Sequence, residues 1–304
     1  MSHYVAAYDT EAIYKWWEES KTEGGINGYE AVARYDQESL KDFLNGVQAV
    51  AEVHANSQTP ATFFIVAKLL DYVSNELCSI LNNPIFDLQC HSYTHPDLVA
   101  ISDNEAALRR EFGDSKKRIE DVFGVEVIGL TAPGGYASGF RGQERILAMM
   151  QEVGYRYVRS VGAGPRETVP APLVQPFWYD LDGFSEILEI PSHAWHDNIL
   201  TGQPGIVHWP PVLPWPYPTE MPTDARGVYE AYAPGIKYSV QHDLLTYTPV
   251  FHPWSIYRVS QEADQIKLLV AHAKEHMKVV SCSELYNKIF IDRRDDSRFN
   301  HCQI

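Results

Sequence analysis

The sequence predicts an α/β protein with a mainly parallel sheet, on three observations. Seven short apolar runs rich in β-branched and aromatic residues recur along the chain, stretches of helical periodicity separate them, and 304 residues suit one large α/β domain spanning 1–304. Strands that alternate with helices pair in parallel, because each crossover returns the chain to the same end of the sheet. About seven strands favour a barrel, complete or incomplete, over an open doubly wound sheet.

In chain order the strands fall at 4–8, 61–66, 86–88, 125–130, 155–158, 187–190 and 247–251, and the helices at 38–54, 68–81, 103–123, 142–153, 227–242 and 261–277. Ser102 followed by Glu105 forms a capping box, and Gly124 and Gly154 stand where helix ends favour a residue without a side chain. The segment 201–224 departs from the pattern. Its seven prolines, with Trp209, Trp215 and Tyr217 among them, exclude a helix or a central strand and leave an ordered aromatic loop, either lining a pocket or latching the fold.

Composition excludes several function classes. A net charge of -15 disfavours nucleic acid and anionic membranes, since both repel an acidic surface. The basic residues Arg109, Arg110, Lys116, Lys117 and Arg118 alternate with Glu111, Asp114 and Glu120, which reads as a solvated, salt-bridged helix face. No apolar stretch approaches the ~20 residues needed to span a bilayer, and the first residues lack a charged and apolar leader, so a cytoplasmic protein is expected. Cys78, Cys90, Cys282 and Cys302 lack paired spacing and read as reduced thiols.

Chemistry concentrates where strands end. His91 and His95 directly follow the strand at 86–88, and Pro96 ends any helical continuation. Twelve histidines make a four-residue spacing common, and His272 and His276 share it on a solvated helix face, so position rather than spacing carries the signal. Asp9 and Glu11 follow the first strand. Two imidazoles and one carboxylate leave positions open for water on a divalent ion, as catalytic sites require; the alternative is a helix N-cap at Asp9 ahead of a helix over 12–19. His252 follows the last strand, at the same mouth, where an imidazole is able to protonate a leaving amine.

The ordered segments Tyr-Asp-Thr-Glu (8–11), Pro-Ala-Thr-Phe-Phe (60–64), His-Ser-Tyr-Thr-His-Pro-Asp-Leu (91–98), Ala-Pro-Gly-Gly (132–135) and Phe-His-Pro-Trp (251–254) resemble the successive motifs of the polysaccharide deacetylase family, NodB-like and of carbohydrate esterase family 4 type. The resemblance implies a deformed (β/α) barrel and a divalent metal, zinc by default with Co2+, Ni2+ or Mn2+ as alternatives. It implies His91, His95 and Glu11 as ligands, Asp9 as general base and His252 as general acid; the exchange, with Asp9 on the metal, stays open. It further implies that the amide of Gly134, after Pro133, holds the oxyanion, and that Trp254 walls the pocket. The family's arginine two residues before that proline is missing, because Thr131 stands there, and Arg159 at the end of the next strand is the replacement. Asp197, with His193 and His196, is brought towards the same rim, to contact substrate, to orient His252 or to cap the loop that follows.

The reading is therefore a metal-dependent hydrolase that removes an N-acyl group from an amino sugar or saccharide, in an atypical branch of the family. A non-sugar linear or cyclic amide, as in allantoinase-like relatives, is the alternative substrate, and an inactive carbohydrate-binding homologue is the third reading. The expected partner is a small saccharide or amide, with homo-oligomerisation left open.

Overall fold

The structure, a computed structural model, describes residues 2–12, 37–203, 205–206 and 208–295. The helix over 12–19 and Cys302 lie outside the described residues. The strands are β1 (His3–Val5), β2 (Ala7–Thr10), β3 (Ala61–Ile65), β4 (Phe86–Cys90), β5 (Gly129–Tyr136), β6 (Tyr157–Val161), β7 (Phe177–Tyr179), β8 (Phe184–Glu189), β9 (His193–His196), β10 (Thr246–Tyr247), β11 (Pro249–Val250) and β12 (Lys278–Val280). The helices are α1 (Gln37–Ser57), α2 (Leu70–Ile80), α3 (Glu105–Arg109), α4 (Ser115–Phe123), α5 (Glu144–Val153), α6 (Asp197–Gly202), α7 (Ala225–Gln241), α8 (Pro253–Val259), α9 (Asp264–His276) and α10 (Cys282–Asp295).

The main sheet has seven strands in the order β2-β3-β4-β5-β6-β8-β7, parallel except for the β7–β8 pair. The α/β class with a largely parallel seven-stranded sheet is thus as expected. From β8 the chain runs into β9, which pairs in parallel with β11, and a parallel bridge between Tyr8 and Phe251 returns the pairing to β2. The carboxyl ends of β2, β4, β6, β9 and β11 consequently gather at one mouth.

Several boundaries differ from expectation for visible reasons. The run 4–8 divides at Ala6, whose amide donates to Val280 on β12 while its carbonyl accepts from Thr62 on β3, so the chain changes sheets there. The run 125–130 becomes a strand only at Gly129, because Gln89 Oε1 takes the amides of Ile128 and Gly129 at 2.9 and 2.7 Å. The run 247–251 breaks at Thr248, whose amide donates to His193 Nδ1 at 2.9 Å instead of to a ladder carbonyl. The 103–123 helix is capped by Asn104, not by a box starting at Ser102: Asn104 Oδ1 accepts the Ala107 amide at 3.1 Å. It also carries a π-helical turn at Arg110–Asp114, and Glu111 within that turn is buried rather than on a solvated face. Gly124 and Gly154 do end their helices, at φ 68° and 91°.

The aromatic loop packs inward. Trp209, Val212, Trp215 and Tyr217 lie against the core, Tyr217 meets Trp195 of β9 edge-on at 5.1 Å, and the Tyr217 hydroxyl accepts the amides of Val212 and Leu213 at 2.7 and 2.8 Å. No helix among the described residues is long and apolar enough to cross a membrane.

Candidate metal centre

Asp9 lies in β2 and Glu11 just beyond it, two residues on, so both side chains leave the same face. His91 follows β4 directly. Its Nδ1–H donates to the Thr131 carbonyl on β5 at 3.0 Å, which leaves Nε2 as the lone-pair nitrogen. His95 reaches the same point from the far end of a short loop. Glu11 Oε2 stands 3.3 Å from His91 Nε2 and 2.6 Å from His95 Nε2, and the two imidazoles meet edge-on at 4.7 Å.

The three donor atoms lie within 4.8 Å of one another, and all three residues are wholly or largely buried. Among the described residues, Glu11 Oε2 and His91 Nε2 are buried polar atoms that complete no aligned hydrogen bond. Such atoms are costly unless a charge satisfies them. Donors on a cation at about 2.0–2.2 Å stand roughly 3.3 Å apart in tetrahedral geometry, the separation of Glu11 Oε2 and His91 Nε2, whereas the 2.6 Å Glu11–His95 pair would have to open; two nitrogens and one oxygen are the donor types a divalent ion such as zinc takes. Burial opposes ionisation of Glu11, but His95, His91 and His252 together outweigh it and hold the carboxyl well below its usual range.

Asp9 has a different neighbour. Arg159 Nη1 donates to Asp9 Oδ1 at 2.9 Å, and the guanidinium is itself fixed by Ser192 Oγ at 2.8 Å and by the Phe64 ring at 5.3 Å. Arg159 and Thr131 are register partners on adjacent strands, so the arginine is displaced sideways by one strand at the same height. Burial opposes ionisation here too, yet Arg159, with His91 and His252, holds Asp9 below its ordinary value.

Across the mouth, His252 Nε2 lies 3.9 Å from Asp9 Oδ2 and 3.7 Å from Glu11 Oε1. Of the roles open to Asp197, the geometry matches the one that orients His252 rather than substrate contact: Asp197 Oδ1 meets His252 Nδ1 at 2.6 Å and accepts the His252 amide at 3.0 Å, because β9 and β11 are paired and both residues follow them. Burial disfavours the imidazolium, but Asp197, then Glu11 and Asp9, overcome it and raise His252 to about 9. Arg159, expected to stand in for the missing arginine and also to line the substrate site, faces Asp9. Pro133 and Gly134 lie in β5 beyond Thr131, with Gly134 exposed at φ 76°. Trp254 lies beside His252 at 6.2 Å between centroids, the rings tilted by 49°, under the Arg258 guanidinium.

His193 and His196 are held structurally: His193 Nε2 donates to Val174 and His196 Nε2 to Gly162, at 2.6 and 2.7 Å. The second spaced pair, His272 and His276, belongs to no ligand cluster among the described residues, and His272 Nδ1 pairs with the Tyr229 hydroxyl at 3.1 Å. Sequence reasoning missed Ser192 and Glu111. Glu111 left a signal, since it shares one helical face with Leu108, Phe112, Ser115 and Ile119 and so is an acid in an apolar stripe.

A mostly parallel α/β sheet whose strand ends converge on one carboxylate, two imidazoles and a flanking aspartate–histidine pair defines a class, α/β proteins with a candidate metal centre at the strand ends. Residues 36–158 match the family model described as polysaccharide deacetylase. The fold of the chain is similar to that of a protein from Mycobacterium smegmatis assigned as a polysaccharide deacetylase, at 16% identity and TM-score 0.66 over 96% of this chain and 91% of that one. It is similar also to Puue allantoinase, at 13% identity and TM-score 0.62 over 94% and 88% of the two chains. A third likeness is to a protein from Pseudomonas aeruginosa PAO1 assigned as a polysaccharide deacetylase, at 13% identity and TM-score 0.59 over 94% and 89%. No curated protein matches the chain by sequence.

Proposed function

We propose that the chain hydrolyses the amide bond of an N-acylated amino sugar or small saccharide, using a divalent cation held by Glu11, His91 and His95. The observation that carries the reading is the convergence of those donors beside an arginine-held carboxylate and an aspartate-held imidazole. When bound, a zinc ion or its Co2+, Ni2+ or Mn2+ substitute acidifies water and polarises an acyl carbonyl. Asp9 accepts the proton of the attacking water, since Arg159 engages Oδ1 and leaves Oδ2 facing the mouth. His252 donates from Nε2 to the departing nitrogen, because Asp197 holds Nδ1. The Gly134 amide faces the developing oxyanion, and Trp254 walls the pocket. The water oxygen joins the acyl carbon, the carbon–nitrogen bond breaks, and a carboxylate and a free amine leave.

Arg159 on Asp9 argues against the inactive-homologue reading, whose motive was the missing arginine at Thr131. A non-sugar amide is a second reading, consistent with the likeness to Puue allantoinase. The test is a paired assay on metal-loaded protein, acetate release from N-acetylated amino sugars against ring opening of a cyclic ureide. Turnover of either, reduced on the order of 10²-fold or more by Asp9→Asn, is expected; equal rates in the wild type and Asp9→Asn would overturn the mechanism.

A further inference from the structure

The loop that carries both histidine ligands is clamped by a carboxylate outside the reacting groups. Glu111 is fully buried at the π-helical turn between α3 and α4, among the core residues Leu108, Phe112 and Ile119. One of its oxygens accepts the amides of Tyr93 and Thr94, both at 2.8 Å, and the other accepts the Thr94 hydroxyl at 2.8 Å. From the other side, the carbonyls of Ser92 and Tyr93 accept the amides of Ala67 and Lys68 at 3.1 and 2.9 Å. The loop is therefore gripped by its donors on one side and by its acceptors on the other.

Between these grips the backbone takes a conformation it does not choose alone. Ser92 and His95 have φ of 59° and 62°, the left-handed region that residues with side chains enter only when their surroundings impose it. These two positions bracket the segment whose amides Glu111 holds, and Ser92 Oγ accepts the His95 amide at 3.0 Å. A helix gains nothing from a buried carboxylate on its apolar face, so the placement is explained by what the carboxylate holds. π-helical turns recur at functional sites, and here the turn brings Glu111 to the loop.

Resting on the reading of Glu11, His91 and His95 as a cation site, we infer that Glu111 is a positioning residue: it sets the 92–95 loop so that both imidazole Nε2 atoms meet Glu11 in one coordination sphere. The experiment is Co2+ titration of the metal-stripped full chain, followed by its visible d–d absorption, which reports affinity and ligand geometry together. Glu111→Ala is expected to weaken Co2+ binding on the order of 10–100-fold and to change the band shape, as loss of a partner behind a metal ligand does. Glu111→Gln, whose amide oxygen still accepts both main-chain amides, restores most of the affinity. Thr94→Val, which removes one of the three bonds, shifts affinity in the same direction by less, and it decides the matter if Glu111→Ala does not fold. A folded Glu111→Ala, or a Thr94→Val, with wild-type affinity and spectrum would overturn the inference. Wild-type protein that takes up no Co2+ would overturn the cation-site reading itself, and this inference with it.

Discussion

Asp9 at the end of β2 and Glu11 just beyond it, two residues on, leave the same face, yet their surroundings suit them to different tasks in the proposed mechanism. Glu11 is met by two imidazole nitrogens and Asp9 by a guanidinium, so the first is placed to bind a cation and the second to stay ionised and accept a proton. Arg159 reaches Asp9 from the position beside Thr131, which keeps the ion pair while moving its origin by one strand. Arg159→Met is expected to lower kcat on the order of 10²-fold with metal content unchanged, and Arg159→Lys to recover part of the loss; steady-state kinetics with metal analysis checks both. Asp197→Asn is expected to lower kcat with little change in KM, because Asp197 acts through His252 rather than on substrate. Asp9, Glu11, His91, His95 and His252 were legible in the sequence as candidates because each stands at or beyond the carboxyl end of a strand. Which of its open roles Asp197 takes and the burial of Glu111 were not, because they depend on which strands pair and on a π-helical turn.

At the scale of elements, the site depends on a close approach between α1 and α8. A Cβ on Gly46 would stand 2.2 Å from the Pro253 carbonyl oxygen, so only glycine lets α1 seat against the turn that presents His252 and Trp254. Gly46→Ala is expected to destabilise by about 1–3 kcal/mol, since backbone rather than a flexible side chain must yield, and to lower activity as the turn shifts; thermal unfolding and the kinetic assay check the pair of effects. Helices on strong apolar periodicity were legible to within a few residues, as α1, α5 and α7 show. The short strands β7, β9 and β12 and the helices α6, α8 and α10 were not, because tertiary contacts rather than local pattern decide segments of that kind. Strand starts moved where a side chain took a backbone donor, Gln89 at β5 and His193 at β11.

For the whole molecule, two buried histidines away from the ligand cluster tie stability to pH. Burial lowers His54 and His193 each to about 4 from 6.5, so the folded protein holds both neutral while the unfolded chain takes up protons first. Their stabilising contribution is present above pH 6.5 and is lost as pH falls through about 4, each on the order of 3 kcal/mol at full titration, a large part of a typical folding free energy. The melting temperature is expected to fall between pH 6.5 and 4, and His54→Gln to flatten that fall; an unchanged slope in the variant would contradict the assignment. The central claim is the cation site itself, and anomalous diffraction from crystals grown with Zn2+, recorded on either side of the zinc edge, tests it most directly. The account predicts one buried peak bounded by Glu11 Oε2, His91 Nε2 and His95 Nε2, abolished in His91→Ala; a peak ligated by Asp9 in place of Glu11, or no peak between the two histidines, would contradict it.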